Sequence, residues 1–151
     1  MLPPQFIVPA RIALDVSITS KKRLLELLAK RLASADPALH FGTVFERLLE
    51  RERLGSTGLG HGVALPHARM QGLEDAVGAF VQLRTGVAFD ALDGKPVDLA
   101  FAMLVPESAT ETHLQLLAQL AARFDEESLR TRLREAERPE EIVRLLYDRD
   151  A

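Results

Sequence analysis

Histidine is the residue type in this sequence that is best suited to carry chemistry. The chain contains four histidines, His40, His61, His67 and His113, and no cysteine. A neutral imidazole is a nucleophile, and its charge changes near neutral pH, so it can accept and release a chemical group. The absence of cysteine excludes a thiol nucleophile, a thiolate metal site and a disulfide framework.

His67 follows a glycine-rich stretch and a proline. Four glycines lie within residues 55–62, and Pro66 directly precedes the histidine. Glycines have no side chain, so a phosphate or another backbone can approach such a loop closely. Pro66 has a fixed φ and biases Leu65 toward an extended conformation, which aims the His67 ring. The alternative is a surface turn that contains an incidental histidine.

Four other residues are suited to assist His67. His113 lies in the first turns of a predicted helix, where free N–H groups disfavour imidazolium and favour a bound anion. Arg51 ends a predicted helix just before the glycine loop, and its guanidinium can bind two phosphate oxygens. Ser56 and Thr57 offer hydroxyl and backbone donors in that loop. The alternatives are a capping or partly buried His113 and an Arg51 that only complements the helix dipole.

Competing motifs find no support. His61 lies six residues before His67, but no third ligand is spaced to complete a zinc site, so no metal centre is predicted. Residues 55–62 do not form a Walker A motif, because His-Gly replaces its Lys-Ser/Thr pair. Gly-x-Ser-x-Gly and His-Glu-x-x-His motifs are absent. His40 is interpreted as a solvated or packing residue of an amphipathic helix.

The composition predicts one soluble, cytoplasmic domain. The chain has 151 residues, of which 47% are hydrophobic and 27% charged, and its net charge is −3. Nucleic-acid binding needs a clustered basic surface, which this mildly acidic composition does not favour. No apolar run is long enough to insert into a membrane, and the N-terminus lacks signal-peptide features. We expect an extended N-terminal segment over residues 1–12, which lies along the surface, and a single domain over residues 13–151.

Local patterns predict helices toward both ends of the chain and strands between them. Helices are expected over residues 20–33, 37–54, 109–124, 126–135 and 139–147, and strands over residues 63–65, 76–83, 87–89 and 97–105. Ser20, Asp36 and Ser108 are the predicted helix caps. In the third helix, Leu114 is expected on the buried face. This order favours an α/β fold with a mixed sheet flanked by helices on both faces.

The string over residues 51–67 resembles the active-site signature of enzyme IIA domains of the fructose/mannitol type, from the bacterial phosphotransferase system. It reads Arg-Glu-Arg-Leu-Gly-Ser-Thr-Gly-Leu-Gly-His-Gly-Val-Ala-Leu-Pro-His. Within that type the chain is most similar to the nitrogen-regulatory branch. The resemblance continues through residues 77–83, 88–99, 104–106 and 112–114. His61 departs from the pattern, in which Asn or another polar residue is expected.

The resemblance implies a three-layer α/β/α sandwich and a phosphoryl group carried on His67. A histidine phosphocarrier protein is the implied donor. His113 is the implied second active-site histidine, and Arg51 the arginine that neutralises phosphate charge. Loop donors complete the expected phosphate contacts, at Ser56, Thr57, Gly58 and Gly60. The scheme needs no cofactor and no metal, because phosphoryl transfer depends mainly on positioning and charge stabilisation.

The leading hypothesis is a phosphocarrier whose phosphorylation state regulates other proteins, such as potassium-transport regulators or sensor kinases. One alternative is a sugar-transport IIA component that donates phosphate in trans to a fructose- or mannitol-type IIB. The other is a binding module that keeps the fold and is not phosphorylated. No nucleic acid and no membrane insertion are expected. The sequence is equally compatible with a monomer and a homodimer.

Overall fold

Five helices and six strands make up the part of the chain that the structure, a computed structural model, describes: residues 2–108 and 110–148. The helices are α1 (Lys21–Ala33), α2 (Phe41–Leu54), α3 (Thr110–Phe124), α4 (Glu127–Glu135) and α5 (Pro139–Tyr147). The strands are β1 (Ile12–Val16), β2 (Gly58–Gly60), β3 (Val63–Ala64), β4 (His67–Met70), β5 (Val77–Val87) and β6 (Val97–Pro106).

The strands form one mixed sheet in the order β1-β5-β6-β3-β2. β5 and β6 are antiparallel, and β1 runs parallel to β5. β3 and β4 both pair parallel with β6, with Ala64 opposite Ala100 and His67 opposite Met103. The two short strands therefore follow one another along the same side of β6. This pairing fixes the backbone of His67 beside a central strand of the sheet.

β6 separates the two halves of the core, because successive side chains of a strand point to opposite faces. Ala100, Ala102 and Leu104 pack with the buried leucines of α1 and α2. Phe101 and Met103 lie on the other face, with the apolar side chains of α3, α4 and α5. A strand covered on both faces is a nearly continuous run of apolar residues, as β6 is apart from Asp98, which is why its sequence predicted it. The predicted three-layer α/β/α sandwich with a mixed sheet is confirmed.

Most helix boundaries are as predicted. α1 begins after Ser20, whose hydroxyl accepts a hydrogen bond from the Arg23 N–H at 3.2 Å. α2 ends before Gly55, and α5 begins at Pro139. The capping box predicted from Ser108 includes residue 109, which lies outside the described residues.

The predicted start of α2 is wrong. The Asp36 side chain accepts a hydrogen bond from the Ala38 N–H at 2.9 Å, which closes a separate turn. The helix begins at Phe41, so His40 is its N-terminal flanking residue and lies outside the helix rather than within it. Asp followed by Pro is compatible with a turn and with a helix start, and the local pattern does not distinguish them.

The strand predictions were incomplete. β1, β2 and β4 were missed, and β5 continues through Thr85 and Gly86, where an interruption was expected. The register of β5 against β6 shifts between Gln82 and Val87. The extra residues are absorbed by this irregularity, so one strand replaces the two that were predicted.

Residues 2–12 contribute to the core, and the expectation that the N-terminal segment lies along the surface is wrong. Phe6 and Ile7 are buried on the α3–α5 side of the sheet. The buried Arg11 guanidinium donates to the Gly78 carbonyl at 2.8 Å, and the Tyr147 hydroxyl donates to a backbone carbonyl of the same segment at 2.7 Å. The domain boundary at residue 12 stays a prediction.

Gly78 is a position where the core has no room for a side chain. A Cβ there would lie 2.6 Å from Phe101 Cζ and 3.3 Å from the Phe6 carbonyl oxygen. We expect Gly78→Ala to lower the free energy of unfolding by about 1–3 kcal/mol, because packed cores resist added atoms. Chemical denaturation measures the effect. Gly42→Ala in α2 is the control, because nothing lies within 4 Å of the added Cβ. Equal destabilisation of both variants would contradict this account of the packing.

Candidate functional site

His67 is held in one orientation by its own backbone. Its Nδ1 lies 2.8 Å from the Leu65 carbonyl oxygen, and the Pro66 carbonyl accepts the Met103 N–H at 2.9 Å. A carbonyl oxygen only accepts hydrogen bonds, so Nδ1 carries the ring proton. The lone pair of the neutral imidazole is therefore on Nε2. The Pro66 carbonyl thus anchors the segment to β6, and the Leu65 carbonyl leaves Nε2 as the ring nitrogen with a free lone pair.

His113 lies in the first turn of α3 and meets His67 edge to face. The two ring centroids are 5.2 Å apart, and the ring planes are inclined by 80°. His113 is only 7% exposed, and its Nδ1 has no hydrogen-bond partner within residues 2–108 and 110–148. A buried polar atom without a partner costs about 1–3 kcal/mol, so it calls for an explanation. His113 therefore has an unused hydrogen-bonding atom beside His67.

The environment lowers the pKa of both imidazoles. For His67, burial is the largest cause, the Arg51 charge adds to it, and the hydrogen bond to a backbone carbonyl and the Glu52 charge oppose it. For His113, burial again comes first, followed by the charges of His67, Arg69 and Arg51. Histidine ordinarily has a pKa of about 6.5, so both rings are neutral at pH 7.

We expect His67 to titrate below the ordinary histidine pKa of about 6.5. Between its lowered pKa and that value, the unfolded chain binds more protons than the folded one. The free energy of unfolding therefore increases with pH across this window. The contribution of His67 to stability is lost as the pH falls through the same window. NMR of the imidazole nitrogens across pH, with denaturation at matched pH, measures both effects. A His67 midpoint above about 6.5 would contradict the assignment.

A cationic cavity of about 510 Å³ opens in front of the two histidines. It is lined by Arg47, Glu50, Arg51, Leu54, His67, Ala68, Arg69 and His113. Three arginines face a single carboxylate, so the cavity favours an anion such as a phosphoryl group. The structure thus brings together the three residues predicted to be catalytic, although they come from α2, β4 and α3.

Arg51 reaches the cavity from the last turn of α2. Its Nη1 donates to the Gly55 carbonyl at 2.8 Å. This bond fixes the guanidinium against the start of the glycine loop. It also commits one of the donor groups that a bidentate contact with an oxyanion would use.

The hydroxyl groups predicted to contact phosphate are used inside the protein. The Thr57 hydroxyl donates to the Glu52 carboxylate, and the Thr57 N–H donates to the same group at 3.2 Å. Lys21 pairs with that carboxylate at 2.9 Å. The Ser56 hydroxyl donates to the Phe89 carbonyl at 2.8 Å. These bonds join the loop to the rest of the sandwich, and neither Ser56 nor Thr57 lines the cavity.

The two loop glycines predicted to contact phosphate also lie outside the cavity lining. The Gly58 N–H donates to the Ser56 hydroxyl oxygen at 3.1 Å, and a Cβ on Gly58 would lie 2.8 Å from that of Ala91. Gly60 has a φ of 93° and faces the Asp93 carboxylate. Close packing and a positive φ therefore account for these glycines, and their phosphate contact stays a prediction.

His61 lies away from His67, at the turn between β2 and β3. Its φ is 56°, its N–H donates to Asp93 at 2.9 Å, and its carbonyl accepts from Arg134 at 2.6 Å. It lines a second cavity of about 430 Å³ together with Lys95. His61 is therefore no third imidazole of the cationic cavity. Among the described residues, no group of three or more His, Asp or Glu side chains is placed to hold a metal ion.

Sequence reasoning missed Arg69 as a site residue. It lies on β4 two positions after His67, and side chains two positions apart share a strand face. That periodicity would have singled it out had the four-residue strand been predicted. Within residues 2–108 and 110–148, none of the helices has the length and apolar character needed to cross a membrane.

Comparisons with known proteins agree with the resemblance seen in residues 51–67. The profile described as "Phosphoenolpyruvate-dependent sugar phosphotransferase system, EIIA 2" matches residues 5–149. The nitrogen regulatory protein of Pseudomonas aeruginosa is 46% identical, over 95% of this chain and 94% of that relative. The fructose-specific EIIA component of Haloferax volcanii is 33% identical, over 91% and 89%.

A solved structure shares the fold. The crystal structure of the nitrogen regulatory protein IIA-Ntr from Neisseria meningitidis superposes with a TM-score of 0.89 at 46% identity, covering 93% of this chain and 96% of that one. The chain therefore belongs to the EIIA type 2 family of the phosphoenolpyruvate-dependent sugar phosphotransferase system.

Proposed function

We propose that this protein carries a phosphoryl group on Nε2 of His67 and that its phosphorylation state regulates other proteins in the cytoplasm. The observation that carries the proposal is the hydrogen bond of 2.8 Å between Nδ1 and the Leu65 carbonyl. This bond leaves the Nε2 lone pair available beside the cationic cavity. Residues 13–151 are proposed to form the single phosphocarrier domain.

The phosphoryl donor is a histidine phosphocarrier protein. Nε2 of His67 attacks phosphorus, the Nε2–P bond forms, and the donor's N–P bond breaks with its electron pair returning to the donor nitrogen. The His67 ring gains positive charge in this step while Nδ1 keeps its proton. The Leu65 carbonyl stabilises that charge, because its oxygen already accepts the Nδ1 hydrogen bond.

Arg51 and His113 stabilise the transferring group. Phosphoryl transfer has a loose transition state whose charge is spread over the equatorial oxygens, so fixed donors lower the barrier. The Arg51 guanidinium lines the cavity, and the His113 ring stands 5.2 Å from that of His67. Neither contact requires a cofactor.

The regulatory role is inferred from the names and sequence identities of the relatives. A relative named as a nitrogen regulatory protein is 46% identical to this chain, whereas the fructose-specific EIIA component is 33% identical. We therefore favour signalling partners such as potassium-transport regulators or sensor kinases. Donation to a fructose-type IIB in trans is the second candidate, supported by the fructose-specific relative.

Intact-mass spectrometry tests the proposal. The protein is incubated with phosphoenolpyruvate, enzyme I and the histidine phosphocarrier from the same organism. A single acid-labile phosphoryl group is the expected result. No adduct, with upstream proteins shown to be active, would support the non-phosphorylated binding module instead. Purified fructose-type IIB is then added, and rapid transfer to it would favour the sugar-transport role.

A further inference from the structure

The three arginines of the cationic cavity differ in how many of their N–H donors already form hydrogen bonds within the protein. Arg47 donates two hydrogen bonds to the Arg69 carbonyl, from Nε at 3.2 Å and from Nη2 at 3.1 Å. Arg51 donates one, to the Gly55 carbonyl. No hydrogen bond or ion pair to the Arg69 guanidinium is found among the described residues. Arg69 therefore retains all five of its N–H donors and its full charge for a ligand.

The backbone aims Arg69 at the same space as His67. Along β4 the side chains of Ala68 and Met70 are buried, whereas His67 is half-buried and Arg69 is exposed on the opposite face of the strand. His67 and Arg69 both line the cavity, and Ala68 borders it between them. The two bonds from Arg47 hold the strand at residue 69. Arg69 is therefore an exposed side chain on an anchored backbone. The positive charge of Arg69 also helps to lower the pKa of His113, after the larger effects of burial and of His67.

A second cation is needed in this cavity to balance the charge of a bound phosphoryl group. A phosphoryl group carries up to two negative charges near pH 7. In the unphosphorylated protein burial and the neighbouring charges lower the pKa of His113, and Arg51 supplies one partly committed guanidinium. Arg51 alone leaves a phosphoryl dianion half neutralised, and the third arginine of the cavity, Arg47, has its Nε and Nη2 already bonded to the Arg69 carbonyl. Arg69 can supply the missing charge without breaking an existing bond.

We propose that Arg69 is a second phosphoryl-binding arginine, which contacts the equatorial oxygens of the group on His67 opposite Arg51. The inference rests on the proposed phosphocarrier function. Arg69 neither accepts nor donates a proton in the transfer. Its guanidinium lowers the barrier by stabilising charge, and it stabilises the dianion after transfer.

The first test compares rates of phosphoryl transfer from the phosphorylated histidine carrier to wild type, Arg69→Gln and Arg53→Gln. Arg53 is an exposed arginine of α2 that does not line the cavity, so it is the matched control. We expect Arg69→Gln to be slower by about ten- to a hundredfold, the effect of losing a charge-assisted contact. Arg53→Gln should transfer at the wild-type rate. Equal rates for wild type and Arg69→Gln would overturn the inference.

The second test separates contact with the phosphoryl group from attraction of the partner. Phosphorus NMR follows the titration of the phosphoryl group in isolated, phosphorylated wild type and Arg69→Gln. A contacting cation lowers the pKa of the phosphoryl group, so the substitution should raise it. An unchanged titration would overturn the contact even if transfer is slower. Failure of wild type to be phosphorylated at all would instead refute the proposed function, and this inference with it.

Discussion

Replacing His67 by alanine is expected to reduce phosphoryl incorporation to background while the fold remains intact. The reaction needs the Nε2 lone pair, and no other imidazole of the cavity has its Nδ1 held by a backbone carbonyl. The position on β4 is fixed by backbone pairing opposite Met103, which alanine preserves. Intact-mass spectrometry measures incorporation, and circular dichroism with thermal unfolding measures the fold.

His61→Ala is the control for this experiment. His61 is an exposed histidine near His67 in sequence, but it lines the second cavity rather than the cationic one. It should incorporate phosphate like the wild type. Labelling of the His67→Ala variant at the wild-type level would show that another residue is the acceptor. Loss of labelling in His61→Ala would show that the second cavity takes part in the reaction.

Replacing His113 by alanine is expected to slow phosphoryl transfer by about a hundredfold or more, the typical effect of removing one preorganised donor at a reacting oxyanion. The cost in stability should be small. The substitution removes packing, but it also removes a buried Nδ1 that has no partner in the described part of the chain. Rapid-quench kinetics and denaturation measure the two effects separately.

His113→Gln accompanies this variant, because its amide retains a hydrogen-bonding group at the same place on α3. Its rate should lie between those of alanine and wild type. A wild-type rate for His113→Ala would contradict the role of His113. A large loss of stability with an unchanged rate would make His113 a packing residue.

The parts of the fold that were predictable are those where many apolar residues share one period. β6 is apolar except for Asp98, and α1 combines a leucine stripe with a capping serine at Ser20. The short strands carry no such signal. β2 is a glycine-rich strand, and β4 has only four residues, His67–Met70. β4 pairs with β6, which is far away in sequence, and β2 pairs only with the two-residue strand β3, so local patterns could not predict either pairing.

α3 shows how a correct helix can be assigned the wrong buried face. Leu114 was expected in the core, but it is 58% exposed. His113, Leu116 and Leu120 occupy the buried positions instead. A hydrophobicity count favours leucine over histidine at every position. The buried face of α3 therefore consists of Leu116, Leu120 and Phe124 together with His113, and Leu114 lies outside it.

The sequence predicted those residues of the site whose type and position match the signature. Arg51, His67 and His113 do line one cavity, as the resemblance implied. The loop hydroxyls were predicted to face a phosphate, yet Thr57 is buried against Glu52. The direction of a hydroxyl depends on its three-dimensional partners. For the same reason Arg69, which no motif singles out, becomes visible only once β4 is placed.

Nitrogen NMR of the phosphorylated protein, labelled in its histidine rings, tests the central claim most directly. The hydrogen bond between Nδ1 of His67 and the Leu65 carbonyl predicts one phosphoryl group, bonded to Nε2 of His67. The spectrum should show coupling of that nitrogen to phosphorus and a protonated Nδ1 on the same ring. A phosphoryl group on Nδ1 of His67, or on the ring of another histidine, would contradict the account.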